Sequence, residues 1–381
     1  MRILLGADTF APDVNGAARF AERLATGLSG RGHEVHVAAP SAAGPAGRES
    51  FGDVTVHRVR SHRYPLHESF RICLPWQARP ATARILREVE PDVVHVQAHF
   101  VVGRGLAAAA SSAGTPLVAT NHFMPENLFA HARVPTALRS AAARWAWRDV
   151  RNVFGRAAAV TAPTPRAVEL LTGATGLPAT AISCGIDADR YAGGSERADT
   201  VLFVGRLDPE KRVDEILRAL VAVPAARLEV VGDGSERAAW HRLADELGIA
   251  DRVVWRGFVS EDELVEAYRR CAVFCMPGIA ELQSLVTLEA MAAGRPVVAA
   301  DAMALPHLVR PGRNGWLFPP GDVDALAARL GALLADRATR RRMGAASREI
   351  VRGHALAATL DAFEAVYTGV AARPAATPLA A

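Results

Sequence analysis

Two short stretches of the chain carry residues suited to holding a diphosphate. The first is Gly205-Arg206-Leu207-Asp208-Pro209-Glu210-Lys211, which directly follows the apolar run 201–204. Gly205 lets backbone come close to a ligand. Arg206 presents a fork of N–H donors matched to phosphate oxygens, and Lys211 a compact point charge. Two cations at one strand end could neutralise a departing nucleotide diphosphate. Lys211 is the single lysine among 44 lysine and arginine residues, so a chain that otherwise uses arginine keeps an ammonium here. A solvated basic loop is the plain alternative.

The second stretch runs from Pro277 to Val298 and again begins at a strand end. A helix is expected to start near Gln283 or Ser284, and the free N–H groups of a helix start form a cradle for phosphate. Glu281 precedes that start and could accept hydrogen bonds from sugar hydroxyls. Glu289 falls inside the helix, between Leu288 and Ala290, and could bind ribose hydroxyls. Otherwise Glu281 is an ordinary acid at a helix start and Glu289 a surface residue. A glutamate on so apolar a helix argues against mere solvation.

Other polar residues carry weaker signals. His122 follows the apolar run 116–119 and could hydrogen-bond a sugar hydroxyl or donate toward a phosphate; a buried structural histidine is the alternative. His95 reads as structural, and His99 is left open. Asp187/Asp189 and Asp322/Asp324 match a DxD pattern by spacing alone, and no metal is expected, because metal ligation needs convergent oxygens. Cys73, Cys184, Cys271 and Cys275 are scattered without a CxxC pair and read as reduced packing residues.

These residues need a scaffold. Strand-like and helix-like patterns alternate: strands at 3–6, 34–39, 54–59, 92–96, 116–119 and 158–161, with helices at 16–28 and 103–113. A polar, turn-rich pause follows at 191–200. The alternation then resumes, with strands at 201–204, 227–231, 253–255, 272–276 and 296–299 and helices between them. Such alternation predicts parallel sheets covered on both faces. The expectation is an α/β chain of two Rossmann-like domains: residues 1–190, residues 191–370, and a disordered Ala/Pro-rich tail at 371–381.

Bulk properties narrow the class. Of 381 residues, half are hydrophobic and 22% charged, the balance of a globular protein. No apolar run is long enough to span a membrane, and the first residues read as a strand rather than a signal peptide. A cytoplasmic protein is expected. The net charge of +4 suits anionic partners but is too small, without a basic tail, to argue for nucleic acid. The 139–156 stretch, rich in arginine with Trp145 and Trp147, could lie on an anionic membrane, aided by the basic 63–79 stretch with Trp76. A helix packed on its own domain is the plainer reading.

Glu281 and Glu289, with seven residues between them, resemble the E-x7-E motif of retaining GT-B glycosyltransferases, especially family 4. The likeness extends to Asn15-Gly16, Thr120-Asn121-His122, Thr161 to Thr164, Gly185-Ile186-Asp187, Gly205-Arg206 with Glu210-Lys211, Gly232-Asp233-Gly234 and Asn314-Gly315. It implies a GT-B architecture whose two domains face a cleft, with transfer of a hexosyl unit from a UDP- or GDP-linked sugar to a hydroxyl acceptor, without metal or cofactor. UDP-hexose ranks just ahead of GDP-mannose.

The resemblance also implies roles. Arg206 and Lys211 grip the diphosphate, Glu281 meets the donor sugar, and Leu285 and Val286, beside Ser284, give N–H groups to phosphate. Glu289 binds ribose, Phe258 and Val259 line the base pocket, His122 sits beside the transferred sugar, and Gly16 opens the first loop. Where the family often has Gly-Phe-Gly after the first glutamate, this chain has Leu282-Gln283-Ser284. Asn15-Gly16 stands where Gly-Gly is common. An epimerase or hydrolase of the same fold, and a non-catalytic binder of anionic ligands, remain alternatives. The acceptor (a lipid, a glycan or a small metabolite) is expected to meet loops near Gly16, 63–79 and 124–133.

Overall fold

A computed structural model describes residues 1–13, 15–63, 71–125 and 135–372. Residues 373–381 of the expected tail, and parts of the 63–79 and 124–133 stretches, lie outside the described residues. Among those described, the chain divides into two compact units. One holds Met1–Pro125, the residues from 135 to Cys184, and helix Leu356–Ala371; the other holds Gly185–Ala355.

The first unit is built on a largely parallel sheet whose central strands are apolar and buried on both faces, with exposed strands at its edges. Its strands are β1 (Arg2–Gly6), β2 (Glu34–Pro40), β3 (Gly47–Phe51), β4 (Val54–Val59), β7 (Val93–Val96), β8 (Leu117–Thr120), β9 (Ala159–Ala162) and β10 (Thr180–Ala181). Their order is β10-β9-β8-β7-β1-β2-β4-β3, parallel throughout except for β3 against β4. The short pair β5 (His62–Arg63) and β6 (Arg71–Ile72) stands apart. β3, reading Gly-Arg-Glu-Ser-Phe, was not foreseen in the sequence; its exposed charged residues blunt the sheet edge.

Helix Gly16–Gly30 buries Ala18, Phe20, Ala21, Leu24, Ala25 and Leu28 on one face. Its start is fixed by Asn15, whose side chain accepts from Ala18 N–H at 2.9 Å. Helix Leu356–Ala371 corrects the expected domain limits, since a second domain running to 370 would include it. Arg31 instead bonds Asp361 and Glu364, Phe363 packs on Phe20, and the Tyr367 hydroxyl meets His95 Nδ1 at 2.7 Å. Apolar burial with satisfied polar groups holds this helix on the first unit. Each fully buried large side chain such as Phe363 stabilises by about 1.5–3 kcal/mol.

The second unit has an all-parallel sheet of β11 (Thr200–Val204), β12 (Arg227–Val231), β13 (Val253–Gly257), β14 (Val273–Met276), β15 (Val297–Ala300) and β16 (Gly315–Phe318). Their order is β13-β12-β11-β14-β15-β16. From β11 the chain winds outward to β12 and β13, then returns to the other side of β11 with β14. In doubly wound sheets a crevice opens at the carboxyl ends of the two strands flanking such a reversal.

Candidate functional site

In the second unit the reversal lies between β11 and β14, and both stretches singled out in the sequence emerge there. Lys211, from the loop after β11, hydrogen-bonds and ion-pairs with Glu281, from the loop after β14. The loops are also joined through backbone, Ile279 N–H donating to Glu210 O at 3.0 Å. The junction is tight at Gly278: a Cβ there would stand 3.2 Å from Glu281 Oε1 and 3.5 Å from Lys211 Cδ. Sequence reasoning gave Gly278 no role, since close approach leaves no mark in one sequence.

Arg206 is held in the same loop. Its Nη1 lies 2.6 Å from Asp208 Oδ2, and its Nη2 donates to Glu210 Oε1 at 2.8 Å. Asp208 and Glu210 are both buried, and Asp208 Oδ1 also accepts from the Ser235 hydroxyl at 3.0 Å. Two buried carboxylates thus aim one half-exposed guanidinium. Neither acid was assigned a role from sequence. Gly205 meets the next strand end closely, and a Cβ on Gly232 would fall 1.9 Å from Gly205 O.

The helix after Glu281 spans Leu285–Ala292, one or two residues later than expected. Ser284 is its N-cap in a left-handed conformation (φ 67°), a region glycine enters without strain. Its hydroxyl bonds the Thr287 hydroxyl at 2.8 Å instead of capping a backbone N–H. Leu285 and Val286 are the first two helical residues, so their N–H groups have no acceptor one turn earlier. Glu289 is no surface residue. It is buried and accepts from the Tyr268 hydroxyl at 2.9 Å; burial, then the Glu289 charge, raises the Tyr268 pKa well above its usual value. After β13, Phe258 stands 69% exposed with its ring free to stack, while Val259 packs partly on the core.

The first unit holds the other expected positions. Gly16 opens its helix with nothing within 4 Å of where a Cβ would be, so packing alone does not demand glycine there. His122 follows β8, its ring 4.8 Å from that of Phe20. Among the described residues its Nε2 has no hydrogen-bond partner, and burial lowers its pKa to about 4. His95 is buried in a closed network, with Nδ1 on Tyr367 and Nε2 on the Thr120 hydroxyl at 2.6 Å. His99 packs against Phe123 and Phe100. The 139–156 stretch forms helix Arg139–Phe154, burying Ala146, Val150, Val153 and Phe154 and leaving Trp145 outward.

Asp322 caps helix Val323–Ala335, accepting from Ala325 N–H at 2.9 Å. The four cysteines are buried. Among the described residues no group of three or more His, Cys, Asp or Glu could hold a metal ion, and no helix is long and apolar enough to cross a membrane.

Comparison with known proteins bears on the family and the fold. The family model described as Glycosyl transferases group 1 matches residues 187–350, and that of Glycosyltransferase Family 4 matches residues 14–190. A GDP-mannose-dependent alpha-mannosyltransferase of Mycolicibacterium smegmatis is 34% identical over 98% of each chain. A protein of the same description from Mycobacterium tuberculosis is 33% identical over 85% of each. Among solved structures, sucrose-phosphate synthase from Thermosynechococcus elongatus superposes with a TM-score of 0.83 at 20% identity, over 97% of this chain and 99% of that one. Anabaena HepE in complex with UDP-glucose superposes at 0.75, also at 20% identity, over 96% and 99%. These two share the fold.

Proposed function

The chain belongs to the group 1, family 4 glycosyltransferases, and from that premise we propose that it moves a mannosyl group from GDP-mannose to a hydroxyl acceptor, with retention and without a metal ion. The observation that carries this reading is the meeting of Lys211 and Glu281 at the reversal between β11 and β14, beside Arg206 and the start of helix Leu285–Ala292. Two cations and two free N–H groups gather where a diphosphate would lie. Glu281 would turn from Lys211 to the hydroxyls of the sugar. Glu289, already bonded to Tyr268, would take the ribose hydroxyls, and Phe258 would offer its ring to the base. GDP-mannose is preferred over UDP-hexose because relatives alike along nearly the whole chain are named for it.

In the reaction, the bond from the anomeric carbon to the diphosphate oxygen breaks as the acceptor oxygen bonds to that carbon. The acceptor proton passes to the leaving diphosphate, and GDP departs. Charge grows on the diphosphate, where Arg206, Lys211 and the helix start stabilise it. Retaining hydrolases place two carboxylates about 5–5.5 Å apart. Lacking a second carboxylate assigned to that task, this site favours attack on the same face, assisted by the leaving phosphate. His122 would contact the transferred sugar as a neutral imidazole, and the two cations would fill the place of a metal.

The test is to incubate the protein with GDP-mannose, UDP-glucose or UDP-galactose, with and without methyl α-D-mannopyranoside and EDTA, and to follow products by proton NMR. An α-mannoside formed from GDP-mannose, undiminished by EDTA, is the expected product. Free or epimerised sugar formed equally well without acceptor would replace transfer with hydrolysis or epimerisation.

A further inference from the structure

Among the described residues, only Gln97 has two buried side-chain atoms without a partner. It is 3% exposed, and neither its amide oxygen nor its amide nitrogen is hydrogen-bonded. Native proteins rarely leave a buried amide open at both ends, because its solvation is lost without replacement. The polar groups just beneath it are fully used: His95 bonds Tyr367 and Thr120, and Thr120 bonds Thr161. The network ends one pleat short of Gln97.

The ladder fixes where Gln97 stands. Its N–H donates to Gly6 O at 2.9 Å, extending the pairing of β7 with β1 by one residue. The chain winds from β1 to β2 on one side and returns to β7 on the other, so this is the first unit's own reversal point. Side chains alternate along a strand, which sets Gln97 on the same face as His95. The register carries it beside Thr120, with His122 two residues further on.

That face is covered by the helices bearing Phe20 and Phe363, whose rings touch His122 and His95. Phe20 lies one turn into its helix, and Gly16, a turn earlier, has no described residue within 4 Å of where a Cβ would be. Two further orphaned atoms, His122 Nε2 and His99 Nδ1, belong to the same carboxyl edge of the sheet.

We infer that Gln97 recognises the acceptor, its amide receiving an uncharged, hydroxyl-bearing ring next to the transferred sugar that His122 contacts. An amide both donates and accepts, as a hydroxyl does. Neither group carries a charge that would select a phosphate or carboxylate, since burial holds His122 neutral. Asp8, at the same reversal, has both oxygens taken up by the Val102 and Gly103 N–H groups. This assignment rests on the transferase reading above and extends it to the acceptor side.

Gln97→Leu tests it with three readouts. The first is Tm, expected unchanged or higher, because an apolar side chain of similar size replaces an unsatisfied amide. The second is the Tm shift on adding GDP, expected unchanged. The third is KM for methyl α-D-mannopyranoside with GDP-mannose as donor, expected to rise roughly tenfold, with α-D-mannose 1-phosphate a poor acceptor for wild type. A lower Tm with unchanged acceptor KM would make Gln97 a structural residue and overturn the inference. So would weaker binding of GDP-mannose but not of GDP, which would move Gln97 to the donor sugar, or wild-type preference for the phosphorylated probe. Absence of any GDP shift in wild type would instead remove the donor assignment beneath it.

Discussion

Lys211 Nζ donates to Glu281 Oε1 although the two residues stand 70 positions apart in the chain. The pair ties together the loops that follow β11 and β14 at the reversal of the second sheet, each side chain neutralising the other. In the proposed reaction, substrate binding would exchange one partner for another: diphosphate for Glu281 on the lysine, sugar hydroxyl for Lys211 on the glutamate.

Lys211→Ala and Glu281→Gln should each lower the rate of transfer by at least about 100-fold, the scale of losing one transition-state hydrogen-bond donor. Both proteins should keep the wild-type circular dichroism spectrum. Steady-state kinetics with GDP-mannose checks this, and turnover within threefold of wild type in both variants would remove the pair from the mechanism.

Two glycines separate folding from binding. Gly232→Ala should destabilise by about 1–3 kcal/mol or more, because its backbone is at φ 130° and a Cβ would collide with Gly205 O. Gly16→Ala should leave stability within about 0.5 kcal/mol, since no described residue borders that position. Urea unfolding measures both, and loss of transfer in Gly16→Ala without loss of stability would locate the glycine's role in ligand access.

Ser284 in its left-handed conformation gives a third expectation. Ser284→Gly should be neutral or stabilising and should keep transfer, because glycine adopts φ 67° without the Cβ penalty. A large loss of stability would show that the bond from its hydroxyl to Thr287 outweighs backbone strain. Equilibrium urea titration decides between them.

Acid should destabilise the protein through buried histidines. Burial holds His95 near about 3, and His99 and His122 at about 4, below the ordinary 6.5. As pH falls through 6.5 the unfolded chain takes up protons at these sites and the folded chain does not, so stability present above 6.5 is lost toward pH 4. Asp8 acts in the opposite sense: burial lifts it to about 6 from 3.8, so its contribution falls as pH rises through that window. Three histidines outweigh one carboxyl, and the urea midpoint should drop between about pH 7 and about pH 4.5. A flat or rising midpoint would contradict the buried, neutral assignment.

Much of the fold was legible because period and composition report burial. The apolar runs of β1, β7, β8, β11 and β14 predict strands covered on both faces, whereas the turn-rich pause near 191–200 lies inside the second unit, past the break between Cys184 and Gly185. The return of helix Leu356–Ala371 to the first unit was not legible, since an apolar helical face does not by itself name its partner. Only long-range contacts, such as Tyr367 with His95, decide it. Within the site, Arg206, Lys211, Glu281 and Glu289 stood out by charge in apolar surroundings. Gly278, Asp208 and Gln97 did not, because close approach, the aiming of a neighbour and an unmet hydrogen bond exist only in three dimensions.

Isothermal titration of GDP and GMP into wild type and Lys211→Ala measures the grip on the diphosphate most directly. GDP should bind wild type roughly tenfold or more tightly than GMP, and the variant should lose most of that preference. Equal affinity of both proteins for GDP, or no preference for GDP over GMP in wild type, would contradict the account.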